Sequence, residues 1–510
     1  MDYSHRTRSH SKGSRAFILA SALAWVSFPV SVRAQAPQSS TSLYRERILE
    51  EQLRPLIQRD LRTAPAEDRL QYDYGAILRY SGIWFEDHGR NVPFAPPGTP
   101  EFQGFRAAHD FDFRPWLNAS LDGVHFGYIR GQFDFLQYGS GDSFDRNSDW
   151  RGPFVDLGFY RLDIDQAMRR YRYAEIDDWS ADFAIGRQFL YVGRGIAFAL
   201  TTDAISFDWS LGDWAGMVFG SQSIRHFDNI DRSVPGFERS DREFFGAQLE
   251  YEGWDHHKPY GYVVVQRDRS DERPENPLQE YDYDSQYWGI GISGETLLGR
   301  GECARGIQNL KYFTEFIIEG GDSFGNGATR SQDPIHAWAM DAGLIYYANG
   351  RTKPRYLVEY ARASGDSGRA TPQNTALGNS AGTTDHGFLG FGILNTGVSF
   401  APMFANLEFV RLAGAFRPFE ECCEWRLSDL EMGASFFMYW RPAEDGGVSD
   451  VRADRPGQAY LGNEVDCFMN WRLSSDLYLL VNYGIFVPAA GSFTMERSRQ
   501  FVGLNLTWLF

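Results

Sequence analysis

Hydrophobic and polar residues alternate with a period of two along most of the chain. In residues 111–121 the odd positions are Phe, Phe, Pro, Leu, Ala and Leu, and the even positions are Asp, Arg, Trp, Asn and Ser. Such alternation places the apolar side chains on one face of a β-strand and the polar ones on the other. The pattern recurs roughly every 25 residues, for example at 205–211, 405–409 and 465–471. It predicts a succession of amphipathic strands.

The predicted strands are separated by segments rich in Gly, Asp, Asn and Ser, namely 140–149, 320–327, 364–385 and 443–457. Three of these segments contain the triplet Gly-Asp-Ser, which begins at Gly141, Gly321 and Gly365. A nucleophilic serine needs one hydroxyl beside one base, so three equivalent copies favour turns over an esterase site.

Two architectures fit this alternation, a soluble sandwich or propeller and a transmembrane barrel. Three features favour the barrel: the apolar faces are largely aromatic, short turns alternate with long polar connections, and residues 502–510 alternate up to a terminal Phe510. A final strand that ends in Phe resembles the recognition signature of bacterial outer-membrane barrels. The sequence therefore predicts an all-β, antiparallel transmembrane barrel over residues 72–510. At about 25 residues per strand and connection it has about 16 to 18 strands, which is wide enough for an aqueous channel.

The first 34 residues predict a secretory signal peptide. A basic stretch ends at Arg15, an apolar run covers 16–32, and small residues follow at Ala34 and Ala36. The alternative is a single membrane anchor, which needs about 20 apolar residues, and Pro29 shortens this run.

Residues 35–71 predict a periplasmic leader with short amphipathic helices. Leu49, Leu53 and Leu56 have helical spacing, and Pro55 limits each helix to a few turns. Two interpretations stay open, a solvated leader and a docking segment for periplasmic secretion partners.

Composition and charge exclude two broad classes of protein. Mean hydropathy is −0.41, and the only run that approaches the roughly 20 apolar residues of a membrane helix is 16–32, which excludes a polytopic helical membrane protein. The formal charge is 50 − 67 = −17. Removal of residues 1–34 takes away five basic residues and one acid, which leaves −17 − 4 = −21. Such an acidic chain is unsuited to bind nucleic acid.

The sequence predicts no metal, no cofactor and no active site. The four cysteines are Cys303, Cys422, Cys423 and Cys467. Neither a C-x-x-C motif nor a His-bearing metal spacing surrounds them. Residues 145–156 begin like a calcium loop, but Trp150 occupies the position of the required glycine. The motif H-E-x-x-H is missing as well, so we do not expect an enzyme.

Charged residues on the polar faces of strands are the candidate chemistry. Arg114 shares its face with Asp112, and Arg79 shares its face with Ile77 and Ser81. Arginines that project into a lumen attract anions, and their planar donors match carboxylates in a bidentate manner. For each arginine two interpretations stay open: a contact for a passing anion, or a pair with a neighbouring acid such as Asp112 that rigidifies the wall.

Five motifs follow one another along the mature chain: Y-G-A-I-L-R at 74–79, F-D-F-R-P-W at 111–116, I-G-R-Q at 185–188, Y-L-G-N-E-V-D at 460–466 and Y-G-I-F-V-P at 483–488. With the terminal strand, they resemble the alginate-export family of outer-membrane barrels. The match covers most of the mature chain.

The resemblance implies an eighteen-stranded, monomeric barrel in the bacterial outer membrane. It would export alginate, a polyuronate, passively through a constriction lined by basic residues. Arg79, Arg114 and Arg187 match basic positions of the family motifs, and with Asp112 they are the predicted pore-lining residues. Phe189 stands where the family has another arginine, which keeps open the alternative of a general or uptake porin for small solutes or oligosaccharides.

Overall fold

The structure is a computed structural model of the chain. It describes residues 70–86, 105–139, 148–172, 178–224, 241–269, 283–296, 309–326, 332–369, 379–420, 426–448, 455–493 and 496–510. The predicted signal peptide and nearly all of the predicted leader lie outside these residues.

Within the described residues, eighteen antiparallel strands form one closed barrel. The strands are β1 Leu70–Glu86, β2 Phe105–Leu121, β3 His125–Tyr138, β4 Asp149–Asp163, β5 Trp179–Tyr191, β6 Ala199–Leu211, β7 Trp214–Gln222, β8 Arg242–Tyr251, β9 His257–Asp268, β10 Asp284–Thr296, β11 Leu310–Asn326, β12 Gln332–Tyr347, β13 Arg355–Ala363, β14 Leu407–Phe416, β15 Glu431–Trp440, β16 Tyr460–Arg472, β17 Leu477–Pro488 and β18 Arg499–Leu509. This confirms the predicted all-β barrel and its strand number.

The barrel closes where the last strand pairs with the first. Nine residue pairs join β18 to β1, from Ile77 with Leu509 to Phe85 with Phe501. Beyond them the backbones of Ala76 and Phe510 exchange hydrogen bonds of 2.6 and 3.1 Å. Closure leaves the barrel no open edge at this position, and lipid cannot satisfy the groups of such an edge.

In the part of the chain that the structure describes, three smaller elements lie outside the barrel wall. Helix α1, Ile164–Arg172, connects β4 to β5, and Leu427–Asp429 forms one turn of 3₁₀ helix before β15. The two-residue strand Asn379–Ser380 pairs in parallel with the end of β11. None of the described helices is long and apolar enough to cross a membrane.

The two ends of the barrel differ in their connections. The end that carries Leu70 and Phe510 has tight turns at 122–124, 212–213 and 473–476, and we call it the short-turn end. The opposite, long-loop end carries the 43-residue connection 364–406 between β13 and β14. In outer-membrane barrels short turns face the periplasm and long loops face the exterior.

Side-chain exposure confirms the predicted alternation on β2. Phe111, Phe113 and Leu117 are exposed on the outer face, whereas Asp112 and Arg114 are buried on the inner face. An apolar exterior and a polar interior are what lipid on one side and water on the other require.

The alternation is reversed on β14. In a transmembrane barrel the apolar residues of an amphipathic strand are expected to face lipid, and for 405–409 that expectation is wrong. Leu407 and Phe409 point inward and are fully buried, while Glu408 points outward and accepts a hydrogen bond from the Tyr360 hydroxyl at 3.0 Å. The reason is the preceding connection, which folds back into the barrel. Phe388 and Phe400 of this connection belong to the same buried cluster as Phe409.

The three Gly-Asp-Ser triplets have different outcomes. The triplet at Gly365 is a turn, as predicted, in which Asp366 Oδ1 accepts the Gly368 backbone N–H at 2.7 Å. The triplet at Gly321 is not a turn but lies within β11. Its backbone φ of +131° suits glycine, since a Cβ there would lie 2.1 Å from the Asp284 carbonyl oxygen. The triplet at Gly141 lies outside the described residues.

Candidate functional site

Charged side chains from β1 to β4 lie together on the inner face of the barrel. Register explains their proximity: Arg79 is opposite Asp112, Ile77 is opposite Arg114, and Trp116 is opposite Arg130. We call this group the wall cluster; it comprises Arg79, Arg114, Arg130, Arg151, Asp110, Asp112, Asp134 and Asp156.

Ion pairs connect most of the wall cluster. Arg114 Nη2 lies 2.6 Å from Asp112 Oδ2, and Arg114 Nη1 lies 3.7 Å from Asp156 Oδ2. Arg130 donates to the same Asp156 oxygen through Nε at 2.6 Å, and Arg151 lies 4.0 Å from Asp110. With four arginines and four aspartates the cluster has no net formal charge. Positive and negative side chains are therefore intermixed on this part of the wall.

Three of the four predicted site residues are thus brought together, namely Arg79, Arg114 and Asp112. Arg187 is placed elsewhere, because it projects from the same face of β5 as the exposed Ile185 and Tyr191. Its guanidinium binds both carboxylate oxygens of Asp203, at 2.8 and 3.0 Å, and donates to the Val155 carbonyl at 2.7 Å. Arg187 therefore belongs to the outer face and does not line the lumen.

A second charged group lies roughly half-way around the barrel from the wall cluster. Arg194 enters the barrel on the connection 192–198 and donates through Nε to Asp341 Oδ2 at 2.7 Å. Its guanidinium carbon lies 3.4 Å from the centre of the Phe313 ring, which is a cation–π arrangement. Glu359 accepts from Arg411 at 3.2 Å and lies 3.9 Å from Arg194.

Sequence reasoning missed Arg194, although its neighbours carry a signal. Gly193 and Gly195 flank it, and both have positive φ, +52° and +79°. Two glycines in this conformation allow a tight reversal that a longer side chain would strain. A Gly-Arg-Gly triplet directly after a strand is therefore consistent with an arginine presented on a sharp turn.

Carboxylates of the barrel wall accept hydrogen bonds from the backbone of the inward-folded connection. Glu464 accepts the N–H groups of Val398 and Ser399 on Oε1, at 2.7 and 2.6 Å, and that of Phe400 on Oε2 at 2.8 Å. Glu319 accepts the Leu389 N–H at 2.8 Å in the same way. The connection 364–406 is thus bound to the wall from inside and narrows the lumen at the long-loop end.

A buried ion pair fixes the early part of this connection. Arg369 and Asp385 are both almost completely buried, and Arg369 Nη2 lies 3.0 Å from Asp385 Oδ2. Burial alone lowers the pKa of Arg369, but the Asp385 carboxylate outweighs it, so the pKa lies above its ordinary value. Arg369 stays charged at any pH the cell meets.

The described residues contain no group of three or more His, Cys, Asp and Glu side chains that could hold a metal ion. Cys467 is a free thiol on the outer face of β16. The other three cysteines lie outside the described residues.

Comparison with solved structures shows the fold. The crystal structure of Pseudomonas aeruginosa OccK5 (OpdH) is similar with a TM-score of 0.50 and 8% identity, over 86% of this chain and 98% of that one. Acinetobacter baumannii OccAB2 has a TM-score of 0.48 and 10% identity, over 86% and 98% of the two chains. No curated protein matches the chain in sequence.

The family follows from the sequence. The model of the family described as alginate export matches residues 155–500, which is more than half of the chain and includes β5 to β17. The closed barrel, its apolar outer face and its charged lumen agree with that match. The chain is a bacterial outer-membrane channel protein and belongs to the alginate-export family.

Proposed function

We propose that this channel passes an anionic polysaccharide, an alginate-like polyuronate or its oligomers, by passive export. The wall cluster carries the proposal, because it lines three neighbouring strands with Arg79, Arg114 and Arg130 on the lumen side. Guanidinium groups bind carboxylates with two parallel hydrogen bonds, and a polyuronate carries one carboxylate on every sugar.

The paired state of these arginines suits translocation. Arg114 has a carboxylate partner at 2.6 Å already, so a second carboxylate gains only part of the attraction of a lone guanidinium. Conduction requires that a solute bind well enough to enter and weakly enough to leave, at several successive positions. A wall of shared arginines supports repeated, weak contacts along the polymer.

A second candidate function is a general or uptake porin for small solutes or oligosaccharides. The inward-folded connection 364–406 favours it, since a wall-bound segment inside the lumen restricts the cross-section available to a polymer. The absence of net charge in the wall cluster favours it as well. The two candidates share the fold and differ in their selectivity.

Residues 1–34 would be removed as a signal peptide, and 35–71 would remain as a periplasmic leader that contacts secretion partners. The barrel would work as a monomer, without metal or cofactor and without catalysis.

Planar-bilayer recordings of the refolded mature protein separate the candidates. Ion selectivity is measured first, and then an oligouronate and a neutral oligosaccharide of equal length are added. The polyuronate channel predicts anion selectivity and block by the oligouronate alone, weakened in Arg79→Ala and Arg114→Ala. Equal block by both sugars, or by neither, would refute the polyuronate proposal and support the general porin.

A further inference from the structure

Helix α1 is attached to the short-turn rim by its acidic N-terminal end. Asp163 accepts the Gln166 backbone N–H at 2.9 Å and thereby caps the helix. Asp165 accepts the Ala181 backbone N–H of β5 at 3.4 Å. Both aspartates are buried, and Asp165 Oδ2 also lies 3.8 Å from Arg169 Nε, one helical turn further along.

The C-terminal turn of α1 is basic, aromatic and exposed. The side chains of Arg169 and Arg170 are 44% and 31% exposed, and Tyr171 is 51% exposed. Arg170 Nη2 and the Tyr171 hydroxyl each lie 3.2 Å from the Asp122 carboxylate, in the turn between β2 and β3. The helix therefore runs along the rim from β5 to the β2–β3 turn.

This basic turn borders the lipid-facing side of the barrel. Tyr160 is exposed on the outer face of β4, and its hydroxyl is hydrogen-bonded to His125 Nδ1 at 2.6 Å. His125 comes three residues after Asp122, just beyond the turn, so the Tyr160–His125 pair and the contacts of Arg170 and Tyr171 with Asp122 lie at the same turn of the rim. Tyrosines at such positions mark the level of the lipid headgroups.

We propose that the C-terminal turn of α1, with Tyr160 and His125, binds the phosphate headgroup of an anionic phospholipid in the periplasmic leaflet. Charge complementarity supports this occupant, because the acids of the helix are buried and its arginines are exposed in a chain of formal charge −17. Basic, aromatic helices at the interface bind anionic lipids through such arginines. The inference does not depend on which solute the channel passes.

Native mass spectrometry of the refolded protein from micelles with equal amounts of phosphatidylglycerol and phosphatidylethanolamine tests the proposal. The wild type should retain phosphatidylglycerol preferentially. In the double variant Arg169→Gln, Arg170→Gln that preference should fall by about 30-fold, which corresponds to about 1 kcal/mol for each arginine near an anionic surface.

A matched control removes two basic residues from another connection of the same rim, Arg351→Gln with Lys353→Gln. It should keep the preference of the wild type. Because loss of Arg170 leaves Asp122 without this partner, a triple variant that adds Asp122→Asn tests the same loss with the rim neutralised, and heat-modifiable mobility verifies the barrel in each. No preference in the wild type, or the full preference in the folded triple variant, would overturn the proposal.

Discussion

Arg114 lies near two carboxylates, one closer than the other. Removing the arginine and removing its nearer partner should therefore change the ion selectivity in opposite directions. Asp112 is 2.6 Å away and Asp156 is 3.7 Å away. Asp112→Asn removes the nearer negative charge, so the wall becomes more attractive to anions, whereas Arg114→Ala makes it less attractive. A unit charge about 4 Å away changes an ion's energy by about 1 kcal/mol in water, or about fivefold in local concentration. Reversal potentials in a KCl gradient should shift in opposite directions for the two variants.

The outward pair of Arg187 and Asp203 supplies the control for this measurement. The double variant Arg187→Gln, Asp203→Asn removes both charges from the outer face and should leave the reversal potential unchanged. If Asp112→Asn and Arg114→Ala shift the potential in the same direction, Arg114 does not contact the permeating ion.

The same outward pair predicts a non-additive effect on stability. Arg187→Ala leaves Asp203 without its two hydrogen bonds on a face that meets lipid, which should cost about 1–3 kcal/mol of unfolding free energy. The double variant Arg187→Ala, Asp203→Ala removes the orphaned carboxylate too, so it should be less destabilised than the sum of the single variants. Urea unfolding in lipid vesicles measures this cycle. Additive effects would mean that the pair contributes no interaction energy.

At the scale of elements, Glu464 controls how firmly the connection 364–406 is held inside the barrel. Its two oxygens accept three backbone N–H groups, and each hydrogen bond to a charged group contributes about 1.5–3 kcal/mol. Glu464→Gln removes the charge and replaces one acceptor by a donor. We therefore expect larger and more variable single-channel conductance, because residues 398–400 are released from the wall.

Glu431→Gln is the matched control for this loop variant. Glu431 is also a wall carboxylate, but it pairs with arginine side chains and not with backbone N–H groups. It lies 2.5 Å from Arg355 and 3.9 Å from Arg417, at the short-turn end. The single-channel conductance of Glu431→Gln should equal that of the wild type. Unchanged conductance in Glu464→Gln would show that these three hydrogen bonds do not hold the connection in place.

The alternation of residues predicts strands well but does not say what covers their inner face. On β2 the outer face meets lipid and the inner face meets the charged lumen, so the alternation predicts the face on which Arg114 and Asp112 lie. On β14 the inward-folded connection provides an apolar partner inside, and the pattern of Leu407 and Phe409 is inverted. A loop in solvent and a loop folded into the lumen have the same turn-forming composition. The sequence alone therefore does not predict that the connection 364–406 narrows the lumen.

Arg187 shows the same limit for a single residue. Its motif matches the family, but a motif does not state which face of the strand carries it. The register with Asp203 and the exposure of Ile185 decide that it lies outside. Arg194 is the converse case, because its contacts with Asp341 and Phe313 join segments more than a hundred residues apart.

At the scale of the whole molecule, eighteen strands depend on one closure. The pairing of β18 with β1 joins the two ends of the barrel sequence. Without it, β1 and β18 would each present an unpaired edge to lipid. Unsatisfied backbone groups cost several kcal/mol each in the hydrocarbon region. The barrel must therefore close before it can be stable in the membrane.

Deletion of residues 502–510 should abolish the folded barrel. It removes the β18 partners of residues 77–84 on β1 and most of those on β17, so two edges open at once. Phe510→Ala is the control: the Phe510 ring is 58% exposed and contacts Trp508, and its backbone bonds to Ala76 do not need the side chain. The control should refold into vesicles with heat-modifiable mobility, and the truncated chain should not. If the truncated chain formed channels of wild-type conductance, the barrel would have to close by a pairing other than β18 with β1.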